Sequence, residues 1–150
     1  MTAGELCIRE VVIAYGHEAV LIAARRMREM HVGNLVVVEE RNNEMYPTGI
    51  LTDRDIVVGV IAEDVEHLTS LAVKDIIRNE LVTVDEDDDY TEVLKRMRVH
   101  SIRRVPVVNE KGVLQGILSI DDLIQQISEE LSDLVVLLSR QSEREKQRRS

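Results

Sequence analysis

Gly49-Ile50-Leu51-Thr52-Asp53-Arg54-Asp55 returns, 67 residues later, as Gly116-Ile117-Leu118-Ser119-Ile120-Asp121-Asp122. Each stretch is an apolar run closed by a hydroxyl residue with an acid three positions on. That is how a strand runs into a helix: Thr or Ser caps the first turn, and the acid reaches back to the cap. Upstream the repetition continues at an offset of 70. Arg26-Met27-Arg28 matches Arg96-Met97-Arg98, Val11-Val12-Ile13-Ala14 falls on Leu81-Val82-Thr83-Val84, and Val37-Val38 falls on Val107-Val108. The chain is a duplication. The three-residue difference is expected in one connection, longer at Asn42 to Thr48 than at Asn109-Glu110-Lys111-Gly112, because surface turns absorb insertions.

Both copies read in the same order. A β-branched run opens each (Val11 to Ile13; Leu81 to Val84). An amphipathic helix follows, with Tyr90, Val93, Leu94 and Met97 on one face and Val20, Ala23, Ala24 and Met27 at the same spacing. Asp85 to Asp89 precede the second helix and read as capping and solubility. A strand pair follows: Leu35 to Val38 with the chain around Gly49 to Leu51, and Val105 to Val108 with Val113 to Leu118. A last helix begins at Thr52 or Ser119. The order is β-α-β-β-α, twice, and the helix between strands forces a crossover, so each sheet is expected to be mixed. Ala62 to Ser70 reads as a polar connection and Leu71 to Ile77 as a short helix. The final helix runs on through Leu131, Leu134, Val135 and Leu138 into a tail, Ser139 to Ser150, with five basic and two acidic residues.

Composition narrows the function. Of 150 residues, 44% are hydrophobic and 31% charged, as in a globular protein, with three Tyr and neither Trp nor Phe. So few rings, and a formal net charge of -9, argue against a nucleic-acid surface. One cysteine, Cys7, excludes an intramolecular disulfide. Neither a signal peptide nor a membrane span is visible, so a cytoplasmic setting is expected. His17, His31, His67 and His100 are scattered, and neither a phosphate-loop nor a zinc-protease motif occurs. No enzyme is indicated.

The repeated heptad carries the chemistry. Capping alone explains it. The same atoms also suit a ligand: a helix start offers N–H groups to phosphate, the Thr52 or Ser119 hydroxyl can donate to it, and the acid can accept from ribose hydroxyls. Gly49 and Gly116 would let a ligand approach the backbone.

On these residues the chain resembles the CBS-domain family, named for cystathionine β-synthase, and in particular a stand-alone tandem pair, often called a Bateman module. The resemblance covers about residues 3 to 131, and it includes Val105-Pro106-Val107-Val108, which is similar to the family's Pro-Val-Val strand. It implies an α/β (α+β) fold of two CBS repeats packed with pseudo-two-fold symmetry, with small mixed sheets and flanking helices. The first repeat would span 3–63 and the second 64–131, with a linker and short helix over 64–78. A helical, basic polar tail would follow over 132–150.

The resemblance also implies a non-enzymatic regulatory module without a required cofactor. It would bind an adenine nucleotide (AMP, ADP, ATP) or another adenosyl ligand between the repeats, as in energy sensing. Thr52 and Ser119 would then meet phosphate, and Asp55 and Asp122 the ribose. The backbone near Val12, Val82, Leu35, Val105 and Pro106 would line the adenine slot, with Arg103 and Arg104 reaching phosphates. It implies a homodimer, for which Leu123, Ile124, Ile127 and Leu131 share one face, and a regulated protein in trans. Two departures stand out. Cys7-Ile8 and Ile77-Arg78 replace the family's frequent Met-Thr, and Gly33-Asn34 stands in the first copy where the second has Arg103-Arg104, so the two sites are unequal. The alternatives are a structural interaction module with vestigial sites and a weak metal- or DNA-associated regulator, supported only by Arg144 to Arg149.

Overall fold

The computed structural model describes residues 1–77 and 80–149; Arg78 and Ser150, named above, lie outside the described residues. The first half comprises α1 (Ala3–Leu6), β1 (Ile13–Tyr15), α2 (Val20–Met30), β2 (Asn34–Arg41) and β3 (Glu44–Thr52). A helical run follows, made of α3 (Asp53–Ile56), a π-helical turn (Val57–Ile61), α4 (Ala62–Asp64) and a 3₁₀ turn (Val65–His67). The second half comprises α5 (Val73–Ile76), β4 (Val84–Asp85), α6 (Tyr90–His100), β5 (Arg104–Val108), β6 (Leu114–Ser119) and α7 (Ile120–Arg149).

The β-α-β-β-α order is present twice. The sheets run β1-β2-β3 and β4-β5-β6, with a parallel pair first and an antiparallel pair second in each. Both central strands shift register at matching positions, Val37/Val38 and Val107/Val108. Arg26 donates to the Ile13 carbonyl and Arg96 to the Thr83 carbonyl, each at 2.8 Å, so one arginine ties helix to strand in either half.

Three expectations are corrected in detail. The extra residues of the first copy do not form a longer loop. Asn42 and Asn43 make a two-residue turn with φ of 52 and 64, and the insertion lengthens the hairpin strands instead. Asparagine tolerates positive φ, and such a turn matches strand twist. The chain from Ala62 to His67 stays helical rather than forming an open connection. Leu94 is 37% exposed, at the margin of the helix face whose Val93 and Met97 are buried.

Each half buries an aliphatic core. Val20, Ala23, Leu35, Val37 and Leu51 fill the first, and Val84, Val93, Met97, Val105, Val107, Leu118 and Leu123 the second. Each large side chain so buried contributes about 1.5–3 kcal/mol. The leading helices are exchanged. Ala3 of α1 lies in the second core, while Val73 and Ile76 of α5 lie in the first. The backbone bonds are reciprocal: Ala3 N–H donates to Asp88 and Gly4 to Glu86, both at 2.8 Å, as Val73 donates to Glu18 and Lys74 to Gly16, both at 2.9 Å. This exchange locks the halves together about a pseudo-two-fold axis.

Candidate functional site

Both hydroxyl–acid pairs close a capping box. The Thr52 hydroxyl accepts from Asp55 N–H at 3.1 Å, and Asp55 Oδ2 accepts from Thr52 N–H at 2.9 Å. Ser119 and Asp122 repeat this at 3.3 and 2.9 Å, and the Ser119 hydroxyl also donates to Asp122 Oδ2 at 2.8 Å. An ionised carboxylate offers about four acceptor positions, so a cap does not exhaust it.

Other requirements of the helix start are already met. Asp53 N–H donates to the Gly33 carbonyl and Arg54 N–H to Asp53 Oδ1, at 2.9 and 2.8 Å. With Asp55 N–H on Thr52, the first three amides are engaged. The expected seat of free amides for a phosphate is therefore corrected at this helix. The glycine reading is corrected too. A Cβ on Gly49 would stand 2.9 Å from Ile77 Cγ2, and one on Gly116 would stand 2.5 Å from Cys7 Sγ and 2.7 Å from the Ile8 carbonyl. These glycines admit the segment leading into the other repeat, not a ligand. Ile8 and Ile117 exchange both backbone bonds there, at 2.9 and 3.0 Å. Burial raises the Cys7 thiol pKa, since packing disfavours the thiolate.

A cleft of about 480 Å³ opens between the halves, lined by Thr52, Asp55, Val82, Arg103, Arg104 and, unforeseen in the sequence, Arg54. The arginines of the second repeat thus cross to the hydroxyl–acid pair of the first. Among the described residues, no hydrogen bond or ion pair within the chain engages the Arg54, Arg103 or Arg104 guanidinium. Ser119, Asp122 and Val12 do not line this cleft; Val12 lines a separate surface recess with Arg26 and Met30. Leu35, Val105 and Pro106 are buried. In the sequence Arg54 carries no signal of this role, because it reads as filler within the cap.

Strand register adds an asymmetry. In the first sheet Val36 N–H donates to the Val12 carbonyl at 3.1 Å. The corresponding residues 70 positions on are Pro106 and Val82, and proline has no N–H. β4 accordingly pairs only from Val84 with Val107, where β1 pairs from Ile13 with Val36. The Val82 carbonyl is left without the partner that its counterpart has.

The second hydroxyl–acid pair has different surroundings. In sequence, Gly33 and Asn34 are the first copy's counterparts of Arg103 and Arg104, so that copy offers no arginine at these positions. Arg9 is engaged with the Gly4 and Gln115 carbonyls, at 2.8 and 3.4 Å, and lies 4.0 Å from Glu86. Among the described residues, no group of three or more His, Cys, Asp or Glu could hold a metal ion, and no helix is long and apolar enough to cross a membrane.

The family model for the CBS domain matches residues 3–61 and 73–129. An uncharacterized protein of Methanopyrus kandleri is 33% identical over 125 residues, or 83% of this chain, which spans 62% of that protein's length. Hypoxic response protein 1 of Mycobacterium tuberculosis is 33% identical over 129 residues, 86% of this chain and 82% of that one. A CBS domain protein of Pyrobaculum aerophilum, solved in complex with AMP, superposes with a TM-score of 0.73 at 30% identity, covering 89% of this chain and 99% of the other. None of the three is named for a catalytic activity.

Proposed function

Since the chain belongs to the CBS-domain family, as a tandem pair, we infer that it is a regulatory module that binds an adenine nucleotide in the cleft of Thr52, Asp55, Arg103 and Arg104. The observation that carries this reading is the Val82 carbonyl, left open by Pro106 beside three unengaged arginines on a protein of net charge -9. An open carbonyl accepts from the 6-amino group of adenine and opposes the 6-oxo group of hypoxanthine or guanine. Arg103 and Arg104, with Arg54, take the phosphates, since charge-assisted bonds to guanidinium are the strong ones. Asp55 accepts from the ribose. The AMP complex of the P. aerophilum protein supports this class of ligand.

The clefts are unequal, and the reading assigns the nucleotide to this one. Both hydroxyl–acid pairs cap a helix, so the choice between them rests on the arginines and on the Val12 carbonyl, which already accepts from Val36 N–H. Ligand spanning both repeats can shift their mutual angle only if it favours one arrangement, which is how it would signal to a protein in trans. Pairing of two modules would use Val57, Val58 and Ile61 with Ile124 and Ile127, all exposed. Leu123, expected on that face, is 0% exposed and belongs to the core.

Calorimetry with AMP, ADP, ATP, S-adenosylmethionine and IMP tests the proposal. Binding of an adenine ligand with rejection of IMP is expected. No binding by any of them would leave the structural interaction module, a reading that the closed capping boxes favour.

A further inference from the structure

A second carboxylate lines the cleft between the halves. Glu80 stands two residues before Val82, in the chain that enters β4, and shares the lining with Thr52, Arg54, Asp55, Arg103 and Arg104. The position faces a cavity in both repeats: its counterpart 70 residues earlier, Glu10, lines the recess of Val12. The two acids of the cleft are held differently. Asp55 accepts from Thr52 N–H at 2.9 Å and is fixed by the cap. Among the described residues, no hydrogen bond or ion pair within the chain engages the Glu80 carboxylate, although three guanidiniums line the same cleft.

Charge decides what such a group does. The charged residues of the lining are Arg54, Arg103, Arg104, Asp55 and Glu80. Its three cations match the free oxygens of a single phosphate group. An added phosphate meets no further Lys or Arg on the lining; it meets Glu80, on a chain of net charge -9. A cleft of about 480 Å³ is about 10 Å across. A nucleotide held in it therefore lies within about one Debye length of Glu80 at about 0.1 M salt.

We propose that Glu80 is a specificity-determining residue, which fits the cleft to a nucleoside monophosphate by opposing each further phosphate. The proposal rests on the nucleotide reading of that cleft and deepens it. Coulomb repulsion grows with ligand charge, so the carboxylate repels ATP about twice as strongly as AMP. Its removal tightens both, and the fold-gain for ATP is about the square of that for AMP.

Calorimetry of adenosine, AMP, ADP and ATP on the native chain and on Glu80→Gln tests this, at low ionic strength and without divalent cations. Glu80 is exposed, so the substitution leaves the core untouched, and an unchanged urea midpoint verifies the fold. Glu143→Gln, exposed on α7, is the control for net charge. Native affinity is expected to fall from AMP through ADP to ATP. With charges about 10 Å apart in water and weak screening, Glu80→Gln should tighten AMP about 2- to 4-fold and ATP about 5- to 15-fold. Adenosine should bind both proteins alike, and Glu143→Gln should move none of the four. Native ATP binding as tight as AMP, equal gains for the two in Glu80→Gln, or the same gains in Glu143→Gln would each overturn the proposal and leave the nucleotide reading standing. Absence of binding by all four would remove that reading and the proposal with it.

Discussion

Replacing Pro106 by valine converts the second repeat to the arrangement of the first, where Val36 stands at the corresponding position. Valine restores an N–H that can donate to the Val82 carbonyl as Val36 donates to Val12, at 3.1 Å. Two energies change in the free protein. The new amide bond contributes about 0.5–1.5 kcal/mol, while the loss of proline's restraint on the unfolded chain costs about 0.4–1 kcal/mol. Stability should therefore move by less than about 1 kcal/mol in either direction. Binding moves further. The carbonyl is now occupied, so the adenine amino group loses a bond of about 0.5–1.5 kcal/mol, which weakens AMP binding about 2- to 13-fold. Preference for AMP over IMP should shrink as well, because the native preference comes from the unpaired acceptors that IMP leaves facing each other. Calorimetry with both nucleotides, beside urea unfolding, measures these effects. A folded Pro106→Val protein with native AMP affinity and native discrimination would refute the reasoning.

Four further outcomes are expected. Asp55→Ala should lose a cap worth about 1 kcal/mol and weaken nucleotide binding at least tenfold, whereas Asp122→Ala should lose the cap alone; equal effects of the two on calorimetric affinity would contradict the choice of cleft. Arg103→Ala with Arg104→Ala should weaken AMP by more than adenosine, since a charge-assisted bond contributes about 1.5–3 kcal/mol, and parallel titrations of the two ligands check it. Glu18 takes Arg26 in two bonds of 2.9 and 2.7 Å, and this contact lowers its pKa. The folded-state value lies below the unfolded one, so the stabilisation is present above the unfolded pKa and is lost as pH falls through the folded one; in Glu18→Gln the acid limb of stability against pH should flatten, as followed by urea midpoints from neutral pH downward. Gly116→Ala would press a methyl onto the Ile8 backbone and should cost about 1–3 kcal/mol, with Gly49→Ala costing less because its obstacle is the flexible end of Ile77; chemical denaturation of both variants ranks them.

Much of the fold was legible because it is locally encoded. The helix faces of Val20, Ala23 and Met27 and of Val93 and Met97, the caps at Thr52 and Ser119, and the doubled element order all follow from spacing within a few residues. What escaped was longer in range or sterically subtle. Gly49 and Gly116 looked like ligand contacts, and only the return of Ile77 and of Cys7-Ile8 reveals what fills the space above them. Leu123 and Ile124 are neighbours in sequence, yet one is in the core and the other in solvent. The longer first hairpin was hidden because an insertion can extend strands as readily as a loop.

The duplication, the hydroxyl–acid pairs and the surplus of arginines in one copy were properties of the sequence by itself, since each is a matter of residue type and interval. Which pair those arginines serve was decided by tertiary structure alone, because α1 and α5 dock each on the opposite core and turn the second repeat's arginines toward Thr52 and Asp55. The same holds for the open carbonyl. Proline withholds a hydrogen wherever it stands, but only the alignment of β5 beside the chain entering β4 makes Val82 the group that goes without.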